Sequence, residues 1–590
     1  MSYLDLRLHS VSKKIAILSN WRMLFGLVIF FFWIIPVFEE KYVTLLYPLS
    51  FILLAVFSVL IYQQVKLKNF LKYLQLRFTL DQRKLFYKNK PSVINSLDFQ
   101  FQDSVSSQNP IWEDLDLHKK NNLMAFLDCT KNRRAIQFLT KLIDSDRVSD
   151  RIIEERQEKV SFLFSQKGSR KKWLTLLTLY SDDSSSNYQL SLLNKKLVEP
   201  SYLFGILVVV YGIQWILYFQ SFYFSSKPFY ILGMIVILLV SYIASLKIRV
   251  TESYPWVNSF ESQVKRLRLI AKDLERLAKS AGKKNISLLS HFQSHEGRQQ
   301  FFRVIRELDL VTGALGVRQN YIIYGIIHAF FPWDFYWTLR LDKLKGEIKQ
   351  NYFLWLDQIA ELEALLQVAE LSSYFDHGVW PKVIPQGKTL VLNEIQHPFM
   401  RNHCIPNSLV LTEQSNKLLL ITGSNMSGKS TFLRTVAMNH LLMQMGAKVV
   451  ASFFQSSAFK LVTSLKRTDS LEESFSTFYS EVKTLKRILD DCFEGPTLFL
   501  IDEIFRGTNN RERLMGSQRY IEKLIKTQGL GIITTHDLEL ASMADVNSQI
   551  FNEHFVDRIE DGKMVFDYLK KPGPCPSTNA LKVMEMEGLY

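Results

Sequence analysis

Two textures divide the chain: four long apolar runs in its first half, and short apolar runs alternating with helical patterns after about residue 385. The long runs, at about 23–38, 42–62, 202–219 and 229–246, lack the polar stripe that an amphipathic helix of a water-soluble protein carries. A helix needs roughly 20 apolar residues to cross a bilayer, with about 17 as the lower limit. The second run exceeds this, the third and fourth are adequate, and the first is marginal. The pattern therefore predicts four transmembrane helices in two hairpins, although apolar runs of this length also occur as buried core helices.

The flanks orient the hairpins. Arg7, Lys13, Lys14 and Arg22 precede the first run, Lys66, Lys68 and Lys72 follow the second, and the connector is only "EEK". Lys195 and Lys196 precede the third run, and Lys247 and Arg249 follow the fourth, with Lys227 in the connector. By the positive-inside rule both hairpins turn on the far side, which leaves the long segments in the cytoplasm. The expected location is the cell membrane, multi-pass, with cytoplasmic soluble domains. "PVFEEKY" has no small-residue cleavage site, so the first run reads as an anchor and not as a cleaved signal peptide.

Between and after the hairpins the pattern is helical. "VKRLRLIAKDLERLAKS" spaces Val264, Leu267, Ile270, Leu274 and Leu277 along one basic-flanked face, suited to a packed helix, a membrane surface or DNA. "YIIYGIIHAFFPWDFYW", 321–337, is too short to span before Pro332, and reads either as a buried helix end or as an interfacial segment. "KLLLIT", "TLFLI" and "LGIITT" are strand-like, each followed by a polar turn, the grammar of a mostly parallel sheet with ligand groups at its carboxyl ends. The expected organisation is an N-terminal transmembrane hairpin (1–69) and a helical core (70–200). A second hairpin (201–247), a second helical part (248–385) and an α/β nucleotide-binding domain (386–590) follow.

Composition agrees with this mixture. Hydrophobic residues make up 47% of the 590 positions and charged ones only 22%, rich for a soluble protein but too polar for a pure membrane bundle. Lys and Arg exceed Asp and Glu by 72 to 57, so the chain carries +15, which suits nucleic acid, anionic lipid or simply a solvated surface with basic flanks. Cys129, Cys404, Cys492 and Cys575 are far apart, with neither metal-ligand spacing nor a disulfide framework.

The chemistry is concentrated near the end. Gly423-Ser424-Asn425-Met426-Ser427-Gly428-Lys429-Ser430, followed by Thr431, matches G-x-x-x-x-G-K-[ST] between an apolar strand and a helix. Backbone N–H groups of such a loop wrap phosphate oxygens, Lys429 reaches the terminal phosphates, and Ser430 can ligate Mg²⁺. The following helix adds its positive dipole end. "TLFLIDEIFRGT" delivers Asp502, suited to hold Mg²⁺, and Glu503, suited to activate the attacking water. "IITTHD" offers His536 at a third strand end as a γ-phosphate sensor.

"TGSNMSGKST", "DSLEESFSTFYSE", "DEIFRGT" and "TTHDLELA", in this order, resemble the ATPase domain of the MutS family of DNA mismatch-repair proteins, an ABC-type P-loop fold. The tail "YLKKPGPCPSTNALKVMEMEGL" resembles that family's closing segment, and "LDCTKNRRAIQFL" with "EERQEKVSFL" the start of its helical core and lever region. The resemblance implies a homodimer with two composite ATP sites, in which Ser476 reaches the partner's γ-phosphate, Asn425 steadies the terminal phosphate and Asn407 lies near the adenine. It also implies ATP and Mg²⁺ as cofactors. Cys404 stands where the family has an aromatic ring, which puts base stacking in question, and Ala135 and Gln137 replace a usual Gly and Arg. "FEE" at 38–40 fits the letters of the family's mismatch wedge but falls in the far-side connector. No room for a mismatch-reading domain and no nuclease motif are evident. The function expected is a membrane-anchored, ATP-driven clamp that grips DNA through backbone contacts. The alternatives are an ATP-driven transporter, for which "STF" replaces the expected LSGGQ-type signature, and a membrane-bound switch that does not act on DNA.

Overall fold

The computed structural model describes residues 3–89, 109–119, 122–130, 132–179, 202–223, 295–319, 331–385 and 387–576, with breaks at 401–403, 425–426, 466–476, 506–508 and 561–562. Asp273, Tyr324 and Ile327 are described besides. The fourth apolar run, the basic helix pattern at 264–280 and the closing segment beyond 576 lie outside the described residues.

The first two apolar runs form a helical hairpin. Helix α1 (Tyr3–Phe38) and helix α2 (Val43–Asn89) are joined by a short 3-10 turn at Glu40–Tyr42 and pack against each other. Both are much longer than the apolar runs inside them. No glycine or proline follows Pro48 in α2, so nothing breaks the helix at residue 69, and it runs on unbroken into the helical core. Two described helices, Leu4–Ile35 and Pro48–Leu85, are long and apolar enough to cross a membrane by length and composition. The four spans expected from sequence are thus supported for two. The third run forms a 22-residue helix (Tyr202–Tyr223) that places Tyr211 in the protein core, and the fourth is not among the described residues.

The helical core is built from α3 (Arg133–Ile143), α4 (Asp150–Ser165) and α5 (Lys167–Leu179), all packed on one long helix. Helix α6 is Tyr202–Tyr223, α7 is His295–Gly316, and the long helix α8 is Trp333–Ser372. Asn132 caps α3, its side chain accepting from the Arg134 N–H. α7 and α8 form a second hairpin, with Phe301 packed edge-on against Trp355 at 5.1 Å.

The α/β unit follows. A six-stranded sheet has the order β12-β9-β4-β8-β7-β6, parallel except for the short β12 (Lys571–Pro572). Its members are β4 (Leu418–Thr422), β6 (Lys460–Ser464), β7 (Thr497–Asp502), β8 (Gly529–Thr535) and β9 (Ile550–His554). Every residue of β4, β7 and β8 is buried, which is why these strands read as continuous apolar runs. Beside it, β1 (Lys382–Val383), β5 (Phe453–Ser456), β2 (Thr389–Ile395) and β3 (Asn407–Thr412) form a four-stranded sheet. β10 (Asp557–Glu560) and β11 (Lys563–Phe566) form a hairpin.

Helix α9 (Lys429–Gln444) is buried almost throughout, because the six-stranded sheet covers one side and α4 the other. Gly446 ends it at φ 76°, and a Cβ there would meet the Arg156 backbone at 2.8 Å, so only glycine allows α4 this close. One continuous core therefore runs from the helical region into the α/β unit. A second core lies on the other sheet face under α10 (Thr477–Glu494) and α11 (Asn510–Ile525).

Candidate functional site

Register brings the expected residues together. β4 and β8 pair in parallel with Thr422 opposite Thr535, and β7 and β8 with Asp502 opposite Thr534. The phosphate loop, the acid pair and the histidine each follow the carboxyl end of one of these adjacent strands. They therefore converge at one edge of the sheet, although about 110 residues of chain separate the first from the last.

The loop leaves β4 at Gly423, with φ 143°, where a Cβ would lie 2.5 Å from the Phe555 carbonyl oxygen. It enters α9 at Gly428, with φ 109°. The first backbone N–H groups of α9 have no acceptor within the helix, and a helix start of this kind favours an anion. Lys429, only 2% exposed, folds back so that Nζ donates to the carbonyls of Gly423 at 2.6 Å and Ser424 at 2.7 Å. Ser427 Oγ donates to the same Ser424 carbonyl at 2.8 Å. Thr431 begins the second half of the first helical turn, and its carbonyl accepts from Thr435. Asn425, Met426 and Ser476 lie outside the described residues.

The neighbouring carboxylates have different surroundings. Asp502 is 8% exposed and accepts from Ser430 Oγ at 2.7 Å and from Thr534 Oγ1 at 2.6 Å. Glu503 turns the chain into the left-handed region, φ 60°, and Phe505 repeats this at φ 55°. Such conformations cost about 1–3 kcal/mol each and persist where the surroundings hold them. Here the Glu503 N–H donates to both the carbonyl and the hydroxyl of Thr534, each at 3.1 Å. The carboxylate meets His536 Nε2 at 2.6 Å and stays partly open to solvent.

Ser430 and Asp502 supply oxygen donors only, the chemistry of a hard cation. Among the described residues no group of three or more His, Cys, Asp or Glu could hold a metal by itself. That fits Mg²⁺ arriving with phosphate oxygens that complete its shell.

The sequence reading missed the contacts that tie the site together. Arg513 on α11 binds Asp537 through two contacts of 2.9 and 2.8 Å, which anchors the residue next to His536. The Tyr568 ring lies 3.1 Å from where a Gly428 Cβ would stand and stacks on Phe566 at 5.7 Å, so an aromatic surface covers the loop. Asn407 is tied to that same segment, donating to the Tyr568 carbonyl at 3.0 Å and accepting from the Lys570 N–H at 2.8 Å. Cys404 Sγ accepts from the His397 N–H at 3.2 Å, and burial together with Arg434 lowers His397 to about 4, so this loop carries a neutral imidazole. Alternating hydrophobicity could not reveal these contacts, most of which join segments distant in sequence.

Arg513→Ala is expected to lower kcat for nucleotide hydrolysis roughly tenfold to a hundredfold, the scale of a displaced catalytic group, with KM little changed. Arg513→Lys should recover part of it. Steady-state kinetics of the two variants checks this, and unchanged kcat in the alanine variant would remove the positioning role.

Residues 419–590 match the family description MutS domain V. The chain is similar to the DNA mismatch repair protein MutS of Thermus thermophilus, 31% identical over 267 residues, 42% of this chain and 32% of that protein. It is 33% identical over 205 residues to MutS protein homolog 4 of Mus musculus, 34% of this chain and 21% of that protein. It is 29% identical over 255 residues to the DNA mismatch repair protein MSH3 of Vanderwaltozyma polyspora, 40% and 24% respectively. The chain thus spans about a third or less of the length of these relatives. The unit that carries the converging strand ends is thus the part of the chain that matches MutS domain V, set behind a helical region and an apolar hairpin.

Proposed function

We propose that the chain is a membrane-anchored ATPase of MutS type, working as an ATP-driven dimeric clamp on DNA. The observation that carries this reading is the convergence of Lys429, Ser430, Asp502, Glu503 and His536 at one sheet edge. Arrival of a triphosphate would give Lys429 phosphate oxygens in exchange for the two loop carbonyls it now holds. Ser430 and Asp502 would hold Mg²⁺, which supplies charge neutralisation at the terminal phosphates. Glu503, partly exposed and hydrogen-bonded to His536, would take a proton from water.

Membrane anchoring is supported by α1 and α2. Trp21, Leu24, Phe30, Trp33, Leu45 and Ile52 all stand exposed on the hairpin, a larger apolar surface than water-soluble proteins leave bare. The basic flanks argue for a cytoplasmic catalytic part. DNA as the partner is supported by the relatives named for DNA mismatch repair and by the +15 charge, and the dimer is what the resemblance of the motifs implies. Affinity from phosphate contacts falls steeply with salt. The test is binding of the detergent-solubilised chain to duplex and branched DNA across a salt series, with sedimentation in the presence of a non-hydrolysable ATP analogue. The expected result is salt-sensitive binding by a dimer that forms with nucleotide. A monomer at every concentration, or salt-insensitive absence of binding, would overturn the clamp.

A further inference from the structure

Of the segment at 321–337, which sequence left open between a buried end and an interfacial piece, residues 331–337 carry the start of α8 and pack beside the end of α7. Four rings form a connected cluster there: Phe331–Trp333 at 6.5 Å, Phe331–Tyr336 at 5.6 Å, Trp333–Trp337 at 5.6 Å and Tyr336–Trp337 at 5.1 Å. The cluster is held rigidly. Trp333 Nε1 donates to the Ala314 carbonyl of α7 at 2.8 Å, and the buried Asp334 binds Arg318 through both carboxylate oxygens and accepts from the Tyr324 hydroxyl. Its outer side is open, with Phe331 39% and Leu310 51% exposed.

Cations follow within two helical turns. Arg340 stacks over Trp337 at 5.5 Å and pairs with Glu307, while Lys343 and Arg306 stand exposed. Clustered Trp, Tyr and Phe with Arg and Lys behind them suit the layer where acyl chains meet anionic headgroups. There apolar ring faces meet acyl chains, while the indole N–H groups of this cluster stay inside the protein, that of Trp333 on the Ala314 carbonyl.

Geometry directs this tip toward the same bilayer as the hairpin. The Tyr87 ring, near the end of α2, lies 5.7 Å from that of Tyr374, just past α8. Further back along α2, Arg83 donates to Cys129 Sγ at 3.4 Å, and further back along α8, Gln367 accepts from the Cys129 N–H at 2.8 Å. The two helices therefore leave this junction in the same sense. At 1.5 Å per residue, Tyr62, the last residue of the second apolar run, is about 38 Å from Tyr87 along α2. Trp337 is about 53 Å from Ser372 along α8. The second hairpin is long enough to bring its tip to the headgroup layer that α2 enters.

We propose that the aromatic tip formed by Phe331, Trp333, Tyr336 and Trp337 docks on the surface of an anionic bilayer, a second membrane contact separate from the α1–α2 hairpin. It rests on the membrane anchoring proposed above. The two contacts tie the helical core to one bilayer through two separate helices, α2 and α8, so a movement of the α/β unit tilts α8 against a fixed plane.

The test is lipid quenching of a fluorophore placed at single cysteines of the full chain. The chain is reconstituted in vesicles of phosphatidylcholine and phosphatidylglycerol carrying a shallow nitroxide lipid. The background is Cys404→Ser, because the other three thiols are buried. Probes are placed by Phe331→Cys at the tip, Leu27→Cys in the hairpin and Val546→Cys on the α/β unit, with Leu310→Cys as a second tip site should the first variant fail to fold. The expected result is loss of emission at 331 or 310 and at 27, with none at 546. Quenching at 27 but at neither tip site overturns the tip contact and leaves the anchor standing. Absence of quenching at 27 as well removes the anchor, and this inference with it.

Discussion

Replacing Glu503 by glutamine is expected to lower ATP hydrolysis by roughly 10²–10⁴-fold, the usual contribution of a positioned general base. Nucleotide binding should persist. The two carboxylates of the pair have separate duties because their environments differ. Both oxygens of Asp502 are occupied by Ser430 and Thr534, and the residue is nearly buried, so it cannot easily approach a water. Glu503 is turned away by its left-handed backbone, is held there by two hydrogen bonds from its own N–H, and keeps an oxygen toward solvent and His536. Glutamine preserves shape and a hydrogen bond to the imidazole but cannot accept the proton. Lys429, Ser430 and Asp502 are untouched, so binding measured by a fluorescent ATP analogue should stay within a few-fold. Turnover within about tenfold of the parent would remove Glu503 from the role of base, and the reaction would need another acceptor.

Arg170→Met is expected to destabilise the chain by about 3–5 kcal/mol, the scale found when one partner of a buried ion pair is removed. Arg170 is 3% exposed and Glu370 fully buried, with Nε 2.7 Å from the carboxylate. The guanidinium also donates to the Phe164 carbonyl at 2.6 Å and lies over the Phe164 ring at 5.4 Å. Removing it leaves the Glu370 carboxylate buried without its counter-charge. Among the described residues its second oxygen has no hydrogen-bond partner. The double variant Arg170→Met with Glu370→Met should recover most of the loss, since two apolar side chains of similar volume leave no stranded charge. Denaturant unfolding of the single and double variants in detergent decides the matter. A single variant within about 1 kcal/mol of the parent would mean that the pair is worth no more than an exposed one.

Both predictions bear on one mechanical feature. Arg170 and its neighbour Lys171 on α5 reach α8 and α2 respectively, through Glu370 and Asp81. Tyr87 of α2 donates to the Pro398 carbonyl at 2.5 Å, in the loop that leads to Cys404 and Asn407. The apolar hairpin, the long helix α8 and the nucleotide unit thus share a single packed junction.

The parts legible in sequence are those whose physics is local. The G-x-x-x-x-G-K-[ST] pattern is eight consecutive residues, so Gly423 to Ser430 could be singled out without a fold. Strands buried on both faces must be apolar throughout, which made β4, β7 and β8 visible and placed Asp502, Glu503 and His536 at their ends. The apolar runs likewise announced helices, because length and hydropathy are additive along the chain.

What tertiary structure decided is everything that joins distant segments. The length of α2 beyond its apolar run depends on burial of Leu74, Leu80 and Arg83 against the helical core, which hydropathy does not encode. The Arg513–Asp537 clamp, the Tyr568 ring over the phosphate loop and the Arg170–Glu370 pair are selected by three-dimensional proximity among many residues of the same types. Local chemistry is written in the order of residues. Which charge meets which, and which helix packs on which, is set only when long-range packing excludes water from the space between them.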